Sequence, residues 1–393
     1  MNRREVRIVG MGIVSAIGVG IQETLQSLSS QKTGVGDKKL YDRGIYGVPV
    51  GEVKLTNEEI EKKLDVKHGE MSRTALLSLA AVHEAIEMCR LTGDRLARTV
   101  FISATTTGGM RETEKFYKDY IKDHNKGRLC DVRHHACHDH TDAVAEKLGI
   151  KGWRTTISTA CSSGANAIMM GAMMIESGMT ETVIAGGADA LCGFTMGGFN
   201  SLKILSKGQC HPLSEERDGL NLGEGAAYLV MTADKGLDDK GWRLEGWANA
   251  CDAYHQTAMS ESGIGAKISI GKTIRGGNIA NNSSLGYINL HGTATPNNDL
   301  SEMNAVNFGW KHTPYGSTKG LTGHTLAAAG AIEAVISILA SNSLTAWGTA
   351  GLQTPMKIAK CASTENIGMN SKYVLSNSLG FGGNCTSLLF RAL

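Results

Sequence analysis

The stretch TTISTACSSGANAIMMGA (155–172) carries the reading of the fold, because a short threonine-isoleucine run passes through a small-residue turn into a helix without a polar face. From Ser162 to Ser177 almost every residue is Gly, Ala, Ser, Ile or Met, so this helix is predicted to be buried on all sides. A second stretch, YGSTKGLTGHTLAAAGAIEAV (315–335), has the same plan of short strand, glycine turn and small apolar helix. Working outward, three more segments are echoed in the same order. VRIVGMG (6–12) pairs with RLEGWANACDAY (243–254), FISATTTGG (101–109) with YINLHGTATPNND (287–299), and TVIAGGADAL (182–191) with YVLSNSLGFGG (373–383). Four ordered echoes predict a duplicated α/β unit with a mixed or largely parallel sheet covered by helices. The halves are expected to span 1–240 and 241–393, dividing at the polar turn around Lys235, Asp238, Asp239 and Lys240.

Composition agrees with a large globular core. The chain has 393 residues, 41% hydrophobic and 20% charged, with five prolines. Its 49 glycines exceed the usual share of about 7% and sit at the ends of apolar runs, where tight strand-to-helix turns need them. A net charge of +2 gives no field for nucleic acid or an anionic membrane. Nine cysteines without a CxxC pair suit a reducing compartment and argue against a disulfide framework or structural zinc site. Arg3, Arg4 and Arg7 before the apolar run Ile8 to Ile21 resemble a secretory signal, but Glu5 and the glycines at 10, 12, 18 and 20 favour a buried first strand and turn, followed by a helix over 22–31. No run is expected to reach the roughly 18 apolar residues of a membrane helix.

Cys161 stands at the start of the buried helix. The helix dipole and its free N–H groups are expected to lower the thiol pKa and favour thiolate, and the Cys161 N–H can bind an oxyanion. Cys192 and Cys385, in or beside apolar strands, read as structural. His291 closes the apolar strand YINL, at the strand end where α/β sheets bind ligands. His324 lies in the turn of the second unit, five residues after Lys319. Glu333 is isolated in a small apolar helix and calls for a cationic partner, for which Lys319 is the candidate. Three strand-turn-helix junctions presenting Cys or His predict one shared site. A rival reading takes His134, His135, Cys137, His138 and His140 as a zinc or nickel site, although only subsets such as His134/His138 share a helical face. GMGIVSAIG lacks the third glycine of a dinucleotide loop.

TACSSG around Cys161, HGTATPNND, TKGLTGH, RDGLNLGEGAA (217–227) and NSLGFGG (377–383) resemble, in order and over essentially the whole chain, the beta-ketoacyl-acyl carrier protein synthases of the type I/II, Cys-His-His branch. The resemblance implies a thiolase-like fold of duplicated mixed-sheet units in α-β-α-β-α layers. It also implies a decarboxylative Claisen condensation, with Cys161 holding the acyl group and His291 and His324 binding the malonyl thioester oxygen. Backbone N–H groups of Cys161 and Phe381 would form the oxyanion hole and gate. Thr293 and Thr295 would contact phosphopantetheine, and Lys319 and Glu333 would be a polar support pair. No metal, flavin or nicotinamide is implied. Thr107, Phe199 and the 130–140 stretch with His134 and His135 fall where such enzymes line the acyl tunnel; the polarity of Thr107 and of the 130–140 stretch, with a short segment between Phe199 and Arg217, suggests a long, stiff or polar chain such as a polyene or aryl-capped one. The expected partners are an acidic acyl carrier protein, docked on Lys62, Lys63, Lys67, Arg73, Lys203 and Lys207, and a second chain. That chain would complete a homodimer or a heterodimer with a related ketosynthase-like subunit such as a chain-length factor. The expected setting is the cytoplasm, without nucleic acid or membrane.

Overall fold

The computed structural model describes residues 4–237, 239–277, 279 and 284–393. Arg3 and Asp238, used above for the N-terminus and the divide, lie outside the described residues.

The main strands are β1 (Arg7–Ser15), β2 (Val100–Ala104), β3 (Arg154–Ile157), β4 (Thr182–Asp189), β5 (Gly225–Thr232), β6 (Trp242–Cys251), β7 (Leu285–Asn289), β8 (Tyr315–Gly316), β9 (Tyr373–Gly380) and β10 (Asn384–Ala392). They form one sheet in the order β8-β7-β9-β10-β6-β1-β5-β4-β2-β3, with the short strand Gly18–Val19 folded back on β1. The centre of this order is a brief antiparallel contact between β1 and β6, through Arg7 with Arg243 and Ile8 with Trp242. Outward from it each arm shows two antiparallel pairings and then two parallel ones. The four sequence echoes occupy equivalent places in the arms: β1 with β6, β2 with β7, β3 with β8 and β4 with β9.

Helix α1 (Arg73–Cys89) covers the first arm on β1 and β5, and α3 (Ile264–Gly276) covers the second on β6 and β10. Between the arms lie α2 (Ser163–Glu176) and α4 (Ala329–Ser343), packed on each other and on strands of the sheet. These are the five expected α-β-α-β-α layers. The small residues have a steric cause: a Cβ on Gly164 would lie 2.8 Å from the Ala327 carbonyl oxygen, and one on Gly330 2.9 Å from the Ala165 nitrogen. Only glycine lets the two central helices approach this closely, and that approach carries the turn of Cys161 against the turn of His324.

The expectation about long apolar runs is corrected. Leu326–Ser343 is long and apolar enough to cross a membrane, and 89% of it is buried inside the fold. A helix sandwiched between two sheet arms needs apolar residues on every side.

Arg73 is also corrected. It is not a docking residue but is 1% exposed at the first turn of α1, where Ser72 caps the helix. Its Nε donates to both Glu224 oxygens at 3.0 Å, and an Nη donates to Oε1 at 2.5 Å. Glu224 comes from the RDGLNLGEGAA motif and also accepts from the N–H groups of Val53 and Leu191. Sequence proximity to Lys62, Lys63 and Lys67 hid a buried pair whose partner is 151 residues away. Arg73→Met leaves buried Glu224 with Arg111, at 3.4 Å, as its remaining counter-charge, so urea unfolding is expected to show a loss of about 3–5 kcal/mol.

Candidate active site

Each candidate residue sits in a turn that the backbone constrains. Ala160 adopts a left-handed φ of 54°, which turns the chain sharply out of β3 and sets Cys161 just before α2. His291 follows β7, and its N–H and that of Gly292 donate to the two oxygens of Glu302, each at 2.8 Å. His324 follows Gly323, itself at a φ of 71°, and leads into the turn before α4. Cys161 is 5% exposed, and His291 and His324 are each 2% exposed.

These turns converge. One ligand-type atom each from Cys161, His291 and His324 lies within 4.8 Å of the others. The imidazole rings meet edge to face, with centroids 5.1 Å apart and planes at 87°. Lys319, buried beside them, has its ammonium 3.2 Å from His291 Nδ1 and paired with the Glu333 carboxylate. The expected Lys319–Glu333 pair is therefore in place.

Hydrogen bonding sets both tautomers. The Lys319 ammonium can only donate, so His291 Nδ1 accepts. The Leu326 backbone N–H donates to His324 Nδ1 at 3.2 Å. Each neutral ring must then carry its proton on Nε2, which leaves two Nε2–H donors for a substrate oxygen. Burial, with the neighbouring Lys319 charge, holds both histidines well below the usual imidazole range, so they are neutral at physiological pH.

The thiol differs from expectation. Burial pushes Cys161 up to about 11, despite the Lys319 charge and a hydrogen bond from the Phe381 N–H. Desolvation outweighs the charges and helix start that favour thiolate, so the resting group is a thiol. The Phe381 N–H thus reaches the Cys161 sulfur.

A cavity of about 330 Å³ opens on Cys161 and His324, lined also by Thr293, Thr295, Phe199 and Phe381, with apolar Leu220, Met259 and Leu379. The Phe199 and Phe381 rings stack at 5.8 Å and 16°. Thr293 and Thr295 join hydroxyls at 2.9 Å. Exposed Lys203 and Asp218 also border the cavity.

Three tunnel candidates are not brought to this cavity. Thr107 gives both its N–H (2.9 Å) and its hydroxyl (2.8 Å) to Asp189. His134 is held by Asp139 at 2.8 Å and lines a separate acidic surface cavity. His135 is exposed, with Nδ1 3.1 Å from the Thr113 hydroxyl. Nor does the histidine cluster gather as a metal site. His138 faces Asp142, while His140 is buried against Ser103. Among the described residues, the one group of three or more metal-type ligands is Cys161, His291 and His324.

Among the buried acids that the sequence reading did not single out, Asp189 and Glu302 hold the loops of this site. Asp189, at the end of β4, accepts from the Thr105, Thr106 and Thr107 loop and from Ala327 N–H at 2.8 Å, tying that loop to the start of the His324 helix region. Glu302 anchors the His291 turn and accepts from Asn377 at 2.6 Å. The rule applied to Glu333, that an acid in an apolar element demands partners, would have found Asp189. Burial raises the Glu302 carboxyl from 4.5 to about 7. Its folded form therefore binds a proton more tightly than the unfolded chain. That contribution to stability is complete below pH 4.5 and is lost as pH rises through 7. Urea unfolding from pH 5 to 8 is expected to show a shallower decline for Glu302→Gln than for the parent; equal slopes would contradict this.

Comparison with known proteins places the chain. Residues 3–235 match the family model of the beta-ketoacyl synthase N-terminal domain, and residues 243–352 that of the C-terminal domain. The 3-oxoacyl-[acyl-carrier-protein] synthase 2 of Staphylococcus aureus (strain COL) is 31% identical over 415 residues, covering 99% of this chain and 98% of that protein. Among solved structures, the ketosynthase ApeO in complex with its chain length factor ApeC, from Xenorhabdus doucetiae, matches at 30% identity and a TM-score of 0.82, covering 99% and 98% of the two chains. The ishigamide ketosynthase/chain length factor shares the fold at a TM-score of 0.92, with 24% identity and full coverage of both chains. With two domain models in order and full-length relatives, this chain belongs to the beta-ketoacyl synthase family of the thiolase superfamily.

Proposed function

We propose that the chain condenses an acyl group held on Cys161 with a malonyl unit on acyl carrier protein, releasing carbon dioxide and a 3-oxoacyl carrier. The observation that carries this is the convergence of one buried thiol with two Nε2–H donors. In the first half-reaction the Cys161 sulfur attacks the acyl thioester, the Cys161 and Phe381 N–H groups hold the carbonyl oxygen, and the carrier thiol leaves with the proton. In the second, the malonyl thioester oxygen accepts from His291 and His324. Loss of carbon dioxide then places negative charge on that oxygen as an enolate. Neutral donors stabilise this charge in a dry site without having to give up a proton. The enolate carbon attacks the acyl carbonyl, and the Cys161 sulfur leaves as thiolate and takes up a proton from solvent, replacing the one that left on the first carrier.

The substrates travel on carrier phosphopantetheine, whose arm would pass Thr293 and Thr295; the charge that develops has its donors, so the cycle calls for no metal or redox cofactor. Lys62, Lys63, Lys67, Lys203 and Lys207 are exposed and are proposed to dock the acidic carrier. The chain works as a dimer in the cytoplasm, in keeping with nine free cysteines. A heterodimer with a chain-length-factor-like subunit is a second reading, favoured by the likeness to the ApeO–ApeC complex; Cys161 makes this chain the catalytic member. Intact mass after incubation with saturated, polyene and aryl acyl carriers tests the acyl step and its preference. An adduct on Cys161 is expected, and its absence with every carrier would refute the reading.

A further inference from the structure

Cys161, His291 and His324 also make a complete set of zinc-type ligands: one sulfur and two imidazole nitrogens within 4.8 Å, beside an open cavity that leaves a fourth position for water. We propose that Lys319 has a role apart from condensation: it keeps divalent metal out of this triad. The inference rests on the triad's geometry and not on the condensation reading.

Two locks act on the rings. A histidine binding metal through Nε2 must lose the Nε2 proton and carry its proton on Nδ1, where an acceptor holds it. Here Nδ1 of each ring faces a donor. For His324 the donor is a neutral backbone N–H, from Leu326 at 3.2 Å, a weak lock that metal coordination can displace. For His291 it is an ammonium at 3.2 Å, which both blocks the required tautomer and sets a positive charge beside any incoming dication. Lys319 is 1% exposed and paired with Glu333, so it does not swing away into solvent.

The same surroundings show what its removal would create. The Lys319 ammonium touches both His291 Nδ1 and Glu333, whose Oε2 has no partner among the described residues. Without the ammonium, the two groups it now bridges, Glu333 and His291 Nδ1, are left to each other, which would give the order of a carboxylate–histidine–zinc site. Glu333 then accepts the Nδ1 proton, directly or through one water, and Nε2 is freed for metal.

The test is zinc titration of tag-free protein against a chromophoric chelator, with metal content by elemental analysis and Cys161 alkylation by iodoacetamide as a second readout. Lys319→Met is expected to bind one zinc per chain at least 100-fold tighter than the parent and to protect Cys161 from alkylation. Lys319→Arg, which keeps the cation, is expected to remain metal-free, and Lys319→Met/Cys161→Ser to lose tight binding. If Lys319→Met fails to fold by circular dichroism, Lys319→Met/Glu333→Gln removes both charges and is expected to bind zinc above the parent but below the single variant. Parent protein binding zinc as tightly as Lys319→Met, or a folded Lys319→Met and Lys319→Met/Glu333→Gln that both bind none, would overturn the proposal. Loss of the acyl adduct in the parent would sink the condensation reading alone.

Discussion

Cys161→Ala is expected to lower condensation by on the order of 10^4-fold or more and to abolish the covalent acyl adduct, while leaving malonyl decarboxylation measurable. The two activities separate because the site has two independent parts. Cys161 supplies the only sulfur among the triad side chains, so without it no acyl-enzyme forms there. The Nε2–H donors of His291 and His324 do not depend on that sulfur. Their Nδ1 atoms are held by Lys319 and the Leu326 N–H, neither of which moves in the substitution. Carbon dioxide release from malonyl carrier, followed with labelled carboxyl, should therefore persist above the no-enzyme rate. An acyl adduct that survives in Cys161→Ala would move the nucleophile elsewhere. Loss of decarboxylation together with condensation would show that sulfur and imidazoles act as one unit.

His291→Ala is expected to give the complementary result. The acyl adduct should form on Cys161, while decarboxylation and condensation fall together by about 10^2–10^3-fold, the usual cost of one donor to a developing oxyanion. His324→Ala should behave alike, and the double variant should lose less than the product of the two effects, because both donors serve one oxygen. Adduct formation within a few-fold of the parent is the deciding readout. A His291 variant unable to acylate Cys161 would assign that ring to proton removal from the thiol. The resting chemistry makes this a real alternative, since burial pushes the thiol up to about 11 and something must take its proton on attack.

Much of this was legible before any coordinates. The small-residue run after Cys161 announces a helix packed inside the fold, and most of it is, although Met173 on its outer side is 51% exposed, so burial on all sides is corrected. The ordered echoes announce duplication because equivalent strands occupy equivalent environments, and the sheet places them symmetrically about the β1–β6 contact. Glu333 announces a cation because an isolated carboxylate cannot be buried at low cost. Where the reading failed, it extended a local pattern past its physical range. Arg73 followed surface lysines in sequence, yet its environment is set by Glu224 across the fold. Family position puts Thr107 at the acyl tunnel, and no local pattern tells that its hydroxyl is engaged by Asp189, 82 residues away.

By itself, then, the sequence determined the chemical inventory, the duplicated plan and the three turns that carry Cys161, His291 and His324. These depend on periodicity, glycine placement and residue type, which act over a few residues. Tertiary structure alone decided how the inventory behaves: which nitrogen of each imidazole carries its proton, that the nucleophile rests as a thiol, and which residues face the cavity. The reason is that desolvation and hydrogen bonding are properties of surroundings, and the partners here come from distant segments. Lys319 stands 28 residues from His291, and Asp189 stands 138 from Ala327, so no local pattern could encode their contacts.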